Sequence, residues 1–226
     1  MDKEKTHFVL VAGFSADHLE SEALGRSVEK RGFSTEVISF YGEGYIDDFS
    51  HLKISDCHQN ISKVIDRAKE KYENVFGIGI SLGGALLLEH AKYKNNLRGI
   101  ASIGTPFKLI NSRWIHFGEN FLPVINLVWK RLQKIKRFRL SPIGATPMAM
   151  DYMEKDLLEN LERIQSPVLL LHSKEDLVSD YRVLPKFLEM LGSEKKKITF
   201  FENGGHVIDD DPDLVIKYIF DFFAIN

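Results

Sequence analysis

Cys57 is the only cysteine in 226 residues, so no intrachain disulfide can form and a reducing compartment suits the chain. Charge of either sign is not in excess: a formal net charge of −2 and a pI near 6.5 give no global reason to expect nucleic acid as a partner. Long hydrophobic runs are missing too, and none approaches the ~20 residues of a membrane-spanning helix. The first residues, Met1-Asp2-Lys3-Glu4-Lys5, carry both signs of charge and run straight into Phe8-Val9-Leu10-Val11, without the apolar region and cleavage site of a secretion signal. No internal repeat or low-complexity tract is visible. These absences point to a cytoplasmic protein with one globular domain over residues 1–226. A 44% hydrophobic and 27% charged composition gives it enough apolar mass for one large core.

Strand-like runs recur at His7 to Val11, Ser34 to Phe40, Val75 to Ile80, Leu97 to Ile103, Val168 to His172 and Lys197 to Phe201. Between them lie segments of helical periodicity: Asp17 to Arg31, Ile54 to Lys71, Leu82 to Tyr93, Leu177 to Leu191 and, at the end, Pro212 to Phe223. That alternation predicts an α/β fold, a mostly parallel sheet with helices on both faces. In the second helix Cys57, Ile61, Val64, Ile65 and Ala68 form the apolar side, and Asp56, Asn60, Lys63 and Arg67 the polar side.

The rhythm breaks at about residues 106–165, where two long helical runs replace one short one. The segment is rich in large apolar residues from Trp114 to Leu132, among them Phe117, Phe121 and Trp129. It then turns basic, six of the ten residues from Lys130 to Arg139 being Lys or Arg. Asp151 to Ile164 follows as a more ordinary amphipathic helix. Insertions at the carboxyl edge of such sheets lie over the crevice where ligands bind, so this one reads as a helical cap. Its cations form a solvated face, or else they meet anionic head groups in a weak membrane-surface contact.

One stretch carries chemistry. Gly77-Ile78-Gly79-Ile80-Ser81-Leu82-Gly83-Gly84 joins a short apolar run to the helix-like Ala85-Leu86-Leu87-Leu88-Glu89-His90-Ala91. Read as strand, sharp turn and helix, Gly79-x-Ser81-x-Gly83 fits a nucleophile elbow, a turn so tight that the positions two residues either side of the serine must lack bulk. The next N–H, that of Leu82, then points to where an oxyanion would form. A glycine-rich turn can also simply pack closely or hold a phosphate. Yet no Gly-x-x-x-x-Gly-Lys-Ser/Thr run is present, and these glycines do not fall in a Gly-x-Gly-x-x-Gly order.

A serine hydroxyl is a poor nucleophile at neutral pH and needs a base held by an acid. Ser173-Lys174-Glu175-Asp176 follows the strand ending at His172, and Glu202-Asn203-Gly204-Gly205-His206 follows the last strand, which brings both turns to the sheet's carboxyl edge. Ser81, Asp176 and His206 reproduce the serine, acid, histidine chain order of α/β-hydrolases. Asp176 is preferred because it closes the turn before an apolar helix, with Asp180 as second choice and Glu175 as a third competitor. His172 is the rival base, although the end of an apolar strand suits a satisfied buried histidine. His206 could instead be an idle loop residue or a metal ligand beside Asp209, Asp210 and Asp211. Those aspartates fit better as the start of the last helix, with Pro212 in its first turn. No metal or cofactor is called for. The loop Val11-Ala12-Gly13-Phe14 offers a second oxyanion donor, the Phe14 N–H, and a plain glycine turn would read the same way.

Taken together, Gly13-Phe14, Gly77 to Gly84, the turn ending in Asp176 and Gly205-His206-Val207-Ile208 resemble the bacterial carboxylesterase and monoacylglycerol lipase branch of the α/β-hydrolase family. The resemblance implies Ser81 as nucleophile, Asp176 as acid, His206 as base, and Phe14 and Leu82 as oxyanion donors. It implies hydrolysis of a small-molecule carboxylic ester without a cofactor, with monoacylglycerols or thioesters as alternative substrates. Two departures stand out. Ala12-Gly13 replaces the usual His-Gly before the oxyanion residue, and Tyr41-Gly42-Glu43-Gly44 replaces a Gly-His-Gly-like loop. The first bears on oxyanion geometry and suggests a non-catalytic binding protein of this fold as the alternative from another class.

Overall fold

The computed structural model describes residues 1–13, 19–39, 53–109, 157–206 and 211–225. Most of the insertion at 106–165 lies outside them, as do Phe14, the Tyr41-Gly42-Glu43-Gly44 loop and the basic run from Lys130 to Arg139.

Among the described residues six strands form one sheet: β1 (Thr6–Val11), β2 (Ser34–Ile38), β3 (Asn74–Ile80), β4 (Gly99–Ile103), β5 (Val168–Ser173) and β6 (Lys196–Phe201). Their order is β2-β1-β3-β4-β5-β6 and every neighbouring pair is parallel. The helices are α1 (Leu19–Glu29), α2 (Ile54–Lys71), α3 (Leu82–Tyr93), α4 (Leu184–Met190) and α5 (Pro212–Phe223). Parallel neighbours oblige each connection to cross back over a face, so both faces are covered; the four inner strands are buried almost throughout, while the edge strands β2 and β6 carry Glu36, Lys196 and Lys197 and are only partly buried.

The period-two alternation of the strands sorts their side chains into two cores. Phe8, Leu10, Phe76, Ile78, Ala101 and Leu169 pack with α1 and α5 through Leu24, Val28, Ile216, Ile219 and Phe220. Val9, Val11, Val75, Ile100, Val168 and Leu170 pack on the other face with α2, α3 and α4 through Ile61, Ile65, Leu86 and Leu184. Helix α2 buries Cys57, Ile61, Val64, Ile65 and Ala68, the side its periodicity predicts. Helix α3 is buried almost all round, because β3 presents Gly77 and Gly79 to it and the helix lies directly on the strand. A β-carbon on Gly79 would sit 2.5 Å from Gly84 Cα.

Two predicted helices are corrected. The segment expected to be helical from Leu177 to Leu191 is a loop up to Asp180, then a 3-10 turn (Tyr181–Val183), then α4. Side-chain carboxylates stop it from coiling earlier: Asp176 accepts the N–H groups of Val178 and Ser179, Asp180 accepts that of Arg182, and Ser179 bridges to Leu109. The expected helix from Asp151 to Ile164 is described from Leu157 onward, and there it is a turn followed by a 3-10 turn (Leu161–Arg163). Asn160 has φ +56°, a left-handed conformation through which a right-handed helix cannot continue. Leu157, Leu161 and Ile164 are buried all the same. At the other end of the chain, Asp211 caps α5 by accepting the Asp213 N–H at 2.9 Å, and Pro212 follows as its first residue.

Burial also sets how the fold responds to acid. Desolvation holds His7, His58 and His90 below the ordinary histidine range, His58 down to about 4 with help from the nearby His90 and Lys92 charges. The unfolded chain protonates these rings near pH ~6.5 while the folded one resists, so the unfolded state binds more protons in that window and stability rises with pH. The melting temperature is therefore expected to fall as pH drops from about 7 towards 4, less so in His58→Gln. Thermal melts at unit steps of pH check it, and a melting temperature constant from pH 7 to 5 would contradict it.

Candidate active site

Ser81 lies between β3 and α3 with φ +51° and ψ −118°, a conformation that L residues rarely adopt. Its surroundings hold it there. The Ser81 N–H donates to the Ile103 carbonyl at 2.7 Å, and its carbonyl accepts the Thr105 hydroxyl at 3.2 Å and the N–H groups of Gly84 and Ala85. A β-carbon on Gly83 would collide with the Val11 carbonyl, and one on Gly84 with the hydroxyls of Thr105 and Ser102. The bulk-free positions that the turn needs are thus filled by glycines, Gly79 and Gly83 against backbone and Gly84 against the two hydroxyls. Strain of this kind persists only where the surroundings over-determine it.

Three sequence-predicted residues come together at the carboxyl edge of the sheet. His206 Nε2 is 2.9 Å from Ser81 Oγ, and His206 Nδ1 is 2.8 Å from Asp176 Oδ2. Gly204, at φ +107°, turns the loop after β6, and the Ser173 hydroxyl donates to its carbonyl. Gly104 leaves room for the His206 backbone, which a β-carbon there would strike. The Asp176 side chain has no exposed surface, whereas one fifth of His206 remains open to solvent. Burial alone would push the Asp176 carboxyl up. Hydrogen bonding from His172 and His206, the charge of His206 and the Ser179 N–H outweigh it and hold the group well below the usual carboxylate range.

The competitors are placed elsewhere. Asp180 pairs with Arg182, receiving Nε at 2.7 Å and Nη2 at 3.0 Å, and Glu175 is exposed. His172 is fully buried beside Asp176 rather than beside Ser81. His7 bonds Ser34 and stacks on Tyr72, and His90 bonds Asn96. Among the described residues, no group of three or more His, Cys, Asp or Glu is placed to hold a metal ion, and no helix is long and apolar enough to cross a membrane.

Leu82 heads α3, so its N–H is among those with no acceptor inside the helix. Gly13 brings the loop after β1 against the elbow: a β-carbon there would be 3.3 Å from Ser81 Cβ and from the Ile80 carbonyl. Ala12 is buried, and its N–H donates to Ile38 across the sheet edge. Phe14, the other expected oxyanion donor, lies outside the described residues.

A supporting chain of small polar residues was not foreseen. Thr105 donates to the Ser81 carbonyl and meets the Ser102 hydroxyl; its own carbonyl accepts from Ser179 Oγ at 3.4 Å, and the Ser179 N–H bonds Asp176 at 3.0 Å. All three side chains are buried. The backbone of the serine turn is thereby tied to the turn that carries Asp176. Short hydroxyl residues in or after the strands, Ser102 within β4 and Thr105 and Ser179 beyond β4 and β5, are the sequence trace of this network.

A sheet parallel throughout the described residues, with helices on both faces, and a strained serine at a strand-to-helix turn facing a histidine and a buried carboxylate define the α/β-hydrolase class. The chain belongs to the alpha/beta hydrolase family, whose sequence pattern matches residues 8–218. It is 23% identical to a carboxylesterase of Bacillus subtilis (strain 168), with 95% of this chain and 90% of that one covered. To a thermostable monoacylglycerol lipase of Bacillus sp. (strain H-257) it is 24% identical, over 96% and 89%. Among solved structures, a metagenome-derived lipolytic enzyme superposes with a TM-score of 0.78 at 17% identity, covering 99% of this chain and 95% of that one. The monoacylglycerol lipase of Paleococcus ferrophilus gives 0.71 at 20% identity, over 99% and 96%.

Proposed function

We propose that the protein is a serine hydrolase that cleaves carboxylic esters of small or medium acyl chains. Ser81 is the nucleophile, His206 the general base, Asp176 the acid that orients it, and the Leu82 and Phe14 N–H groups the oxyanion donors. The observation that carries this reading is the continuous relay from Ser81 Oγ through His206 to Asp176, at 2.9 and 2.8 Å.

The chemistry follows from the relay. His206 Nε2 takes the hydroxyl proton as Ser81 Oγ attacks the ester carbonyl, and Asp176 keeps Nδ1 protonated so that Nε2 offers its lone pair. The tetrahedral oxyanion forms at the positive end of α3, next to the Leu82 N–H. Collapse breaks the bond to the alcohol, which leaves with the proton from Nε2, and Ser81 remains acylated. Water then gives a proton to the freed His206 as it attacks the acyl carbon; the acyl–Oγ bond breaks, Ser81 takes that proton back from Nε2, and the carboxylic acid leaves.

The monoacylglycerol lipase among the relatives favours a second substrate class within the same chemistry, and thioesters are a third. On sequence grounds the aromatic part of the insertion packs on the hydrolase core or, alternatively, lines an acyl-binding pocket. A panel of p-nitrophenyl esters, monoacylglycerols and acyl thioesters of increasing chain length tests the reading. Ester turnover highest at short or medium chains supports it. Preference for long-chain monoacylglycerols moves the substrate to the second class, and no turnover of any member by folded protein would favour a binding protein instead.

A further inference from the structure

One titratable group at the site takes no part in these steps. His172, near the end of β5, has no exposed surface. Its Nε2 lies 2.9 Å from Asp176 Oδ2, the same oxygen that His206 Nδ1 meets at 2.8 Å, while Asp176 Oδ1 accepts the Val178 and Ser179 N–H groups. Beyond that approach to Oδ2, the His172 ring nitrogens have no hydrogen-bond partner among the described residues. A bare nitrogen lone pair 2.9 Å from a carboxylate oxygen, both buried, would be repulsive. A proton on Nε2 turns that repulsion into attraction, leaving Nδ1 as the bare nitrogen.

We propose that His172 is a positioning residue, whose Nε2–H holds Asp176 Oδ2 and shares the negative charge that would otherwise be directed at His206 alone. The proposal rests on the serine-hydrolase reading above. Among the described residues, titratable groups reach Asp176 from two elements, His172 from β5 and His206 from the loop after β6. The other charges of the region are turned elsewhere: Lys174 pairs with Glu202, Asp180 with Arg182, and Glu175 is exposed. An oxygen with two donors binds each less strongly than it would bind one. Without the His172 donor, Asp176 stabilises protonated His206 more, and the base is lost at a higher pH.

The experiment is the pH dependence of kcat/KM on a short soluble ester for wild type, His172→Leu and His172→Gln, with melting temperatures measured alongside. His172→Leu is expected to move the acid limb upward by roughly half to one pH unit, and His172→Gln, whose amide N–H falls near Nε2, to restore it towards wild type. A role in packing alone would lower the melting temperature of both and leave the limb in place. An unmoved limb in folded His172→Leu overturns the proposal, as does a limb moved equally in both variants. Should neither variant fold, 15N NMR of the wild-type histidines decides. His172 is expected to carry a proton on Nε2, and a bare Nε2 would refute it. Failure of the hydrolase reading shows separately, as turnover that survives loss of the Ser81 hydroxyl.

Discussion

Ser81→Ala is expected to lower ester turnover by about a million-fold while leaving a folded protein with a melting temperature close to that of the parent. The substitution removes one oxygen, and the turn does not depend on it. The strained backbone at residue 81 is held by the Ile103 carbonyl, the Thr105 hydroxyl and the glycines at 79, 83 and 84, all of which remain. Alanine meets the same left-handed φ with the same Cβ, so the variant adds no strain that serine lacked. Triad variants retain roughly 10³–10⁴-fold catalysis over water from oxyanion stabilisation and binding, so a faint background is compatible with the account. Steady-state kinetics on a short p-nitrophenyl ester, with a thermal melt as control, checks it; activity within tenfold of the parent would remove Ser81 as nucleophile.

The second large effect belongs to the acid. Asp176→Asn is expected to cost about 10⁴-fold in kcat, the scale seen when an orienting aspartate is replaced in a triad. The asparagine can satisfy only some of the donors that converge on the carboxylate: the Val178 and Ser179 N–H groups on Oδ1, and His206 and His172 at Oδ2. If its amide nitrogen takes the place of Oδ2, it faces His206 Nδ1 as a donor, drives that ring to the other tautomer and leaves Nε2 unable to accept the serine proton. Asp180→Asn and Glu175→Gln are expected to stay within a few-fold of the parent. The first loses only an ion pair with the exposed Arg182, and the second changes an exposed side chain. Damage from Asp180→Asn equal to that from Asp176→Asn would move the acid to the other side of the turn.

Much of this architecture was legible in the chain because its signals are local. Alternating strand and helix runs gave six parallel strands, since a βαβ chain has few other ways to bury both faces of a sheet. Gly79-Ile80-Ser81-Leu82-Gly83 announced its turn through positions where only hydrogen fits, and the structure shows backbone on the far side of each. The helix boundaries after Asp176 and before Leu161 were not legible. There, apolar spacing promises a helix while carboxylate caps at Asp176 and Asp180, and a left-handed Asn160, decide against one. In the sequence Asp176 was preferred to Asp180 because it closes a turn before an apolar helix, and that helix does not begin there; what separates the two carboxylates is tertiary, one being buried against two imidazoles and the other paired with a solvent-facing arginine. The link from Thr105 and Ser179 was invisible, because it depends on β4 and the acid turn meeting across 74 residues of chain.

The most direct test of the account is covalent labelling. A fluorophosphonate reacts with a serine only where a base activates the hydroxyl and nearby donors stabilise the charge that develops on oxygen. Incubation with the purified protein, intact-mass analysis and peptide mapping report both the stoichiometry and the site. The account predicts one adduct per chain, on Ser81, formed rapidly by the parent, absent from Ser81→Ala and greatly slowed in His206→Ala. A folded protein that takes up no label, or one labelled at another residue with Ser81 untouched, would contradict it.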